Sequence, residues 1–442
     1  MKQDKGLSEF KSFSGDIQAG SDTAPIIFRA RIDVAGEIEF DFDAIVLTKE
    51  SSFIMKWWDG AWSCSGCFTL SGKAEDGTEF KTENLHFNSL LKKSSEETGS
   101  RMNPDGRCSQ AEFLRKLAVQ AAKPMLRMHV KGFQNLGQLN SKCPLGMVAM
   151  VGKMSIDNPD AITGHITVQS ENEPADLTAW HTEANKLLEH IRRVMSFASA
   201  SALRGPIIEF FAGDELKVVA LSQTRQTSAP FRTFHPLNQQ PVFDAAVNSF
   251  FNPPFEVKNL FFAIEWFAME ATYNEVRLVN AMTALENLVA SNLGDNDALI
   301  QPEKEFEKTR RVLRKVLKKC VGKWSSEEAK RADEIVLELN ERLADLNRRS
   351  ILKKLMTLAK LWSVPLDGIG KGKIKAAKQA RDRIVHRGHY YDDGKEKSDD
   401  LWQHGTVVRE IVVRFLLTAI GYRGGYISYI GGCHDAQFPP GN

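Results

Sequence analysis

The sequence predicts an α+β fold, with a β-rich N-terminal region over residues 1–240 and an all-α helical bundle over residues 241–442. Three observations carry that prediction. Apolar and polar residues alternate with a period of two through much of the first 170 residues, as in strands with one buried face. Beyond residue 241 the apolar residues recur at helical spacing. Between the two, the polar stretch Thr224–Gln240, with Pro236 late in it and Pro241 after it, marks a change in composition.

Taken in order, Ile26–Val34 and Glu37–Leu47 alternate cleanly and read as half-buried strands. Phe53–Trp58 and Trp62–Leu70 read as a hairpin turning at Asp59-Gly60. Ser94–Arg107 is rich in Gly, Ser and Asn and reads as a mobile loop, and a helix is expected over Ala111–Ala122. Gly146–Val151 and Gly164–Val168 are further strands. An amphipathic helix over 175–198 precedes a hairpin, Ile207–Phe211 and Leu216–Leu221, turning at Gly213-Asp214. The bundle begins with Phe243–Phe251, stopped by Pro253-Pro254. Leu260–Leu293 follows, with a break near Thr272–Asn274. Phe306–Val321, Glu327–Leu346, Ile351–Leu361, Lys371–Arg387 and Leu401–Ile420 complete it.

The chain's 442 residues exceed one ordinary core, and 42% hydrophobic with 26% charged residues is a globular composition. No stretch has the length and apolarity of a membrane span, and no apolar run follows Met1–Gly6. The sequence therefore predicts a cytoplasmic protein with no membrane partner. Six scattered cysteines fit a reducing compartment better than a disulfide scaffold. The net charge of +2 conceals an asymmetry: residues 301–442 carry 29 basic and 19 acidic residues, the rest 29 and 37. A basic C-terminal third suits a polyanionic partner such as RNA, and equally a set of solvated helix faces.

That third contains an Arg and a His separated by four residues, Arg381 and His386, with Asp382 directly after the Arg. On a helix Asp382 and His386 are an i,i+4 pair, so the carboxylate could orient the imidazole. Arg381 points about 140° away from His386 around the helix axis, too far to grip one phosphate with it. Two such helices facing one another across a two-fold axis would bring the groups together, which predicts a homodimer. Imidazole, guanidinium and carboxylate suffice for metal-free RNA cleavage. The 2′-OH attacks the adjacent phosphorus, His moves the proton, and Arg stabilises the phosphoryl charge. The same spacing also suits a solvated helix end, with His386 meeting the last carbonyls. Arg383 and Arg387 form another i,i+4 pair that could hold RNA phosphates or simply face solvent.

The helix ending Ile384-Val385-His386-Arg387-Gly388, the following Tyr390-Tyr391-Asp392-Asp393-Gly394, and a last helix running into Ala419-Ile420-Gly421-Tyr422-Arg423-Gly424-Gly425-Tyr426 resemble the HEPN superfamily, and within it the Apea-like group. Asn280–Leu288, centred on Ala284-Leu285-Glu286, is similar to an early helix of that group, and the 207–221 hairpin to the region before its bundle. The resemblance covers roughly residues 200–442. It implies a HEPN-type bundle, dimers with a composite site, and a metal-independent endoribonuclease. Arg381 and His386 would be catalytic and Asp382 supporting, with no cofactor. It further implies roles in anti-phage abortive defence or as the toxin of a toxin–antitoxin pair, a phage-derived trigger or inhibitor, and RNA targets that include tRNA. A related toxin group carries a modifiable Tyr two residues after the His. Gly388 stands there in this chain, which argues against that regulation. A non-catalytic module for dimerisation and nucleotide or RNA binding is the alternative.

Other features are weaker. Cys64-Ser65-Gly66-Cys67 could hold zinc with Cys108, Cys143 and His86, or flank a tight turn between strands. Trp57, Trp58 and Trp62 beside Lys56 could stack bases or fill a core. Gly368–Lys373 lacks the spacing of a phosphate-binding loop and reads as a basic loop whose Lys371 and Lys373 could touch an RNA backbone. His389 reads as a loop residue without a chemical role. No nucleophile elbow, kinase set or dinucleotide fingerprint is present.

Overall fold

A computed structural model describes residues 7–46, 48–61, 67–95, 99–153, 158, 160–223, 231–321, 332–391 and 398–440. It is α+β, as the sequence predicts. The chain divides into two compact units, Met1–Phe251 and Asn252–Asn442.

The first unit is built on an antiparallel sheet. Its strands are β1 (Lys11–Ala19), β2 (Asp22–Ile32), β3 (Ile38–Phe42), β4 (Ile45–Val46), β5 (Phe68–Lys73), β6 (Glu79–Ser95), β7 (Gly99–Cys108), β8 (Gln110–Lys116), β9 (Met125–Lys131), β10 (Gln138–Cys143), β11 (Gly146–Val151), β12 (Ile162–Gln169), β13 (Arg204–Ala212) and β14 (Glu215–Leu221). They run in the order β10-β11-β12-β9-β13-β14-β8-β6-β5-β1-β2-β3, with β7 on β6 and β4 on β7. Strands distant in that order share one core, since Phe13 and Phe28 pack with Phe80, Phe113, Leu216 and Val218. The Phe13 and Phe28 rings stack at 5.2 Å, over Gly72, where a Cβ would come within 2.9 Å of the Phe28 ring.

Three expected elements come out differently. Residues Ser52–Ala61 form helix α1 instead of the first arm of a hairpin, and Asp59-Gly60 lies inside it. The neighbours Phe53 and Ile54 are both buried, which one helix face allows and an alternating strand does not. Gly99–Cys108, which takes up most of the expected loop and runs one residue past it, is strand β7, held by its pairing with the long β6 and by buried Met102. Gln110–Lys116, expected to be helical, is strand β8. Its residues Ala111 and Phe113 are buried with period two, so packing overrides the helix-favouring composition.

Helix α2 (Leu177–Ser199) begins at Asp176, whose carboxylate accepts the Ala179 N–H at 2.9 Å. It covers β9 and β12 with Leu187, Leu188, Ile191 and Val194. Helix α3 (Gln240–Phe251) packs on α2 and β10, which moves the unit boundary from the expected 240/241 to 251/252. His190 of α2 sits at that contact, 9% exposed, with Nε2 3.1 Å from Ser249 Oγ. Burial pushes its imidazole down from 6.5 to about 4. Between those values the unfolded chain holds the extra proton, so this contribution is full above pH 6.5 and is lost as pH falls toward 4. Urea titrations at pH 7 and pH 5 are expected to show His190→Gln losing about 1–2 kcal/mol less than the wild type over that interval. Equal losses would place the acid sensitivity elsewhere.

The second unit contains α4 (Leu260–Ala268), α5 (Asn274–Asn292), α6 (Asp295–Ala298), α7 (Glu303–Val321), α8 (Ala332–Arg342), a 3-10 turn (Leu343–Asn347), α9 (Ile351–Leu361), α10 (Lys371–Arg387) and α11 (Ser398–Ala419). The expected break near 272–274 separates α4 from α5. Helix α5 is central and packs against α4, α9, α10 and α11. The unit is not helical to its end: β15 (Gly424–Ser428) and β16 (His434–Phe438) form a hairpin. Tyr426 and Ser428 of that hairpin reach buried Glu410 of α11. Among the described residues no helix is long and apolar enough to cross a membrane.

Candidate active site

Helix α10 starts after Gly370 and stops at Gly388, whose φ of 81° is left-handed and whose N–H donates to the Ile384 carbonyl at 2.8 Å. It buries Ile374, Ala377 and Ala380, and the two alanines allow a close approach to α5 and α11. Arg381 follows at the edge of this contact, with 23% of its side chain exposed. Its Nη2 donates to Glu286 Oε2 on α5 at 2.8 Å and its Nη1 to Asp382 Oδ1 at 3.4 Å. The guanidinium is thus anchored across two helices.

The expected hydrogen bond from the His386 imidazole to the Asp382 carboxylate is not made. Asp382 instead pairs with Lys378, one turn upstream, and with Arg381. Two full cations compete better for the carboxylate than an imidazole does. His386 lies in the exposed last turn with no hydrogen-bond partner among the described residues. No described residue competes for either ring nitrogen, which leaves His386 open to a substrate proton among the described residues.

Around it, Arg383 lies over the ring of buried Tyr390, 5.7 Å from its centroid. Tyr390 meets the rings of Tyr391 and His404 at 5.2 and 6.1 Å. His389 Nδ1 donates to the Tyr391 carbonyl at 2.7 Å, a bond that spans the turn after α10. Arg387 is exposed beside His386. Lys371 and Lys373 are exposed in the first turn of α10, which starts at Lys371 as the expected helix does, about 20 Å along the axis from His386. They are not part of the same cluster.

Of the sulfur candidates, only one contact with His86 forms among the described residues. Cys67 Sγ is 3.1 Å from His86 Nε2. Cys108 is buried opposite Leu85, its thiol pushed up to about 11 mainly by burial, and Cys143 lies on β10 at the far end of the strand order. Cys64 and Trp62 lie outside the described residues. Among the described residues no three His, Cys, Asp or Glu side chains converge as a metal-ligand set.

Glu286 is the residue that sequence reasoning missed as a partner of Arg381. It stands 95 positions away, and its only signal was its place in the Ala284-Leu285-Glu286 run. Compared with protein-family models, curated proteins and solved structures, the chain matches none.

Proposed function

We propose that this chain is a homodimeric, metal-independent endoribonuclease of the HEPN type, with Arg381 and His386 as catalytic residues. The observation that carries the reading is the pairing of an unengaged, exposed His386 with an anchored Arg381 on the same short helix. His386 takes the 2′-OH proton or protonates the departing 5′-oxygen, and Arg381 stabilises charge on the phosphoryl oxygens. Asp382 steadies Arg381 and Lys378 instead of the imidazole. Arg383 and Arg387 of the same turns contact flanking phosphates. On this reading the protein works in the cytoplasm in abortive defence or as a toxin. Its N-terminal sheet answers a phage-derived trigger or inhibitor, and tRNA is among its targets.

The ion pair between Arg381 and Glu286 favours a second reading, a non-catalytic module that dimerises and binds RNA or nucleotides, because it already neutralises the guanidinium. One assay separates the two. Purified protein incubated with total RNA in excess EDTA is expected to produce 2′,3′-cyclic phosphate and 5′-OH ends, mapped by ligation-based sequencing. RNA that is bound but stays intact would favour the second reading.

A further inference from the structure

Helix α7 carries the most concentrated charge in the second unit. Lys308, Arg311, Arg314, Lys315, Lys318 and Lys319 fall within an arc of about 140° on it. They span about 17 Å of helix, the length of about five stacked nucleotides at 3.4 Å each. Glu307 lies in the same arc and pairs with Arg310 at 2.6 Å and Arg311 at 3.6 Å, and Lys308 pairs with Glu305 at 3.0 Å. Beyond Glu307 the helix has no acidic residue. Arg314, Lys315, Lys318 and Lys319 form no ion pair among the described residues, and the three lysines are exposed. Complementing the helix dipole accounts for the last turn only, Lys318 and Lys319.

We propose that this stripe docks the sugar-phosphate backbone of an RNA strand, as a contact surface separate from the turns that hold Arg381 and His386. The inference rests on the ribonuclease reading for the identity of its polyanion. Charge complementarity supports it: the unpaired cations form two adjacent pairs, Arg314 with Lys315 and Lys318 with Lys319, about 6 Å apart along the axis on one face, an unbroken positive edge for a phosphate backbone. The helix's apolar side argues against a lipid surface. Phe306 and Val321 are buried, and α7 packs on α8 and the 3-10 turn. Only Val312 and Val316 are strongly exposed, with no aromatic residue to enter a bilayer interface.

The test uses full-length protein carrying His386→Ala, so that bound RNA stays intact, and a labelled single-stranded RNA of about 20 nucleotides. Affinity is followed by fluorescence anisotropy across a salt series. Five neutralised phosphates give a slope of log affinity against log salt of about −3.5. Adding Lys315→Gln, Lys318→Gln and Lys319→Gln is expected to flatten that slope by about 2 units, with an unchanged circular dichroism melt. A charge-matched control, Lys116→Gln, Lys142→Gln and Lys186→Gln in the sheet unit, is expected to leave it unchanged. An unchanged slope in the α7 variant, an equal loss in the control, or loss of binding to anionic phosphatidylserine vesicles with RNA binding intact would overturn the proposal. If RNA binds through α7 and the wild type cuts nothing, the ribonuclease reading fails and the docking surface stands. If cleavage is robust and the α7 variant binds and cuts normally, the reverse holds.

Discussion

Mixing His386→Ala protein with Arg381→Ala protein is expected to restore RNA cleavage that neither variant shows alone. Removing His386 takes away the proton-transfer group and should lower kcat about 10²–10⁴-fold. Removing Arg381 takes away stabilisation of the phosphoryl charge, a loss of about 10²–10³-fold. Rescue follows from geometry: on one helix the two side chains diverge by about 140°, and Arg381 is drawn toward Glu286 on α5. If a working pair takes Arg381 from one protomer and His386 from its partner, each mixed dimer keeps one intact pair of two. Random exchange makes half the dimers mixed, so activity should return to about a quarter of wild type. The measurement is initial cleavage rate after mixing and subunit exchange, with size-exclusion chromatography confirming dimers. Full loss in both variants without rescue would place each pair within a single protomer. Undiminished cleavage by His386→Ala would remove His386 from the chemistry altogether.

The parts of this structure that the sequence disclosed are those in which local pattern and tertiary packing agree. Helix α10 was legible because Ile374, Ala377 and Ala380 repeat at helical spacing and Gly388 closes it. The 204–221 hairpin was legible because Gly213, with a φ of 56°, turns between two apolar runs. Strand β8 was hidden because Gln, Ala, Glu, Leu and Lys favour a helix in isolation. Only the burial of Phe113 against Phe13 and Phe80 decides for the strand. Strand β7 was hidden because polar residues line it, and its pairing with β6 supplies what its side chains do not. The same divide runs through the candidate site. The exposure of His386 and its place on the last turn were readable from its own helix. The partner of Asp382 was not, because Lys378 and His386 stand at equal distance along the helix on either side and the choice between them is electrostatic. Glu286 was beyond any local rule, since only the packing of α5 on α10 brings it to Arg381.

Glu410→Ala is expected to cost about 3–5 kcal/mol of unfolding stability, the largest effect of any single change away from the candidate site. The Glu410 side chain is 2% exposed and accepts from Arg414 Nε at 3.0 Å, from Ser428 Oγ at 2.9 Å and from the Tyr426 hydroxyl. Arg414 in turn donates through Nη1 to the carbonyls of Pro365 and Asp367, at 3.1 and 2.9 Å, in the segment that leads into α10. One carboxylate therefore fastens the terminal hairpin to α11 and, through Arg414, fixes the approach to the helix that carries Arg381 and His386. Removing it strands a buried guanidinium and two hydroxyls, and the desolvation of those groups, more than the lost bonds, sets the size of the effect. A double change, Glu410→Met with Arg414→Leu, removes both charges and fills much of the space. It is expected to recover most of the loss in stability measured by urea unfolding. The same double variant should cleave RNA less well than the wild type, because the carbonyls of Pro365 and Asp367 lose the donor that positions them. Stability and cleavage recovering together would show that Glu410 and Arg414 matter for the core alone; stability recovering without cleavage is the result expected if their bonds set the position of α10.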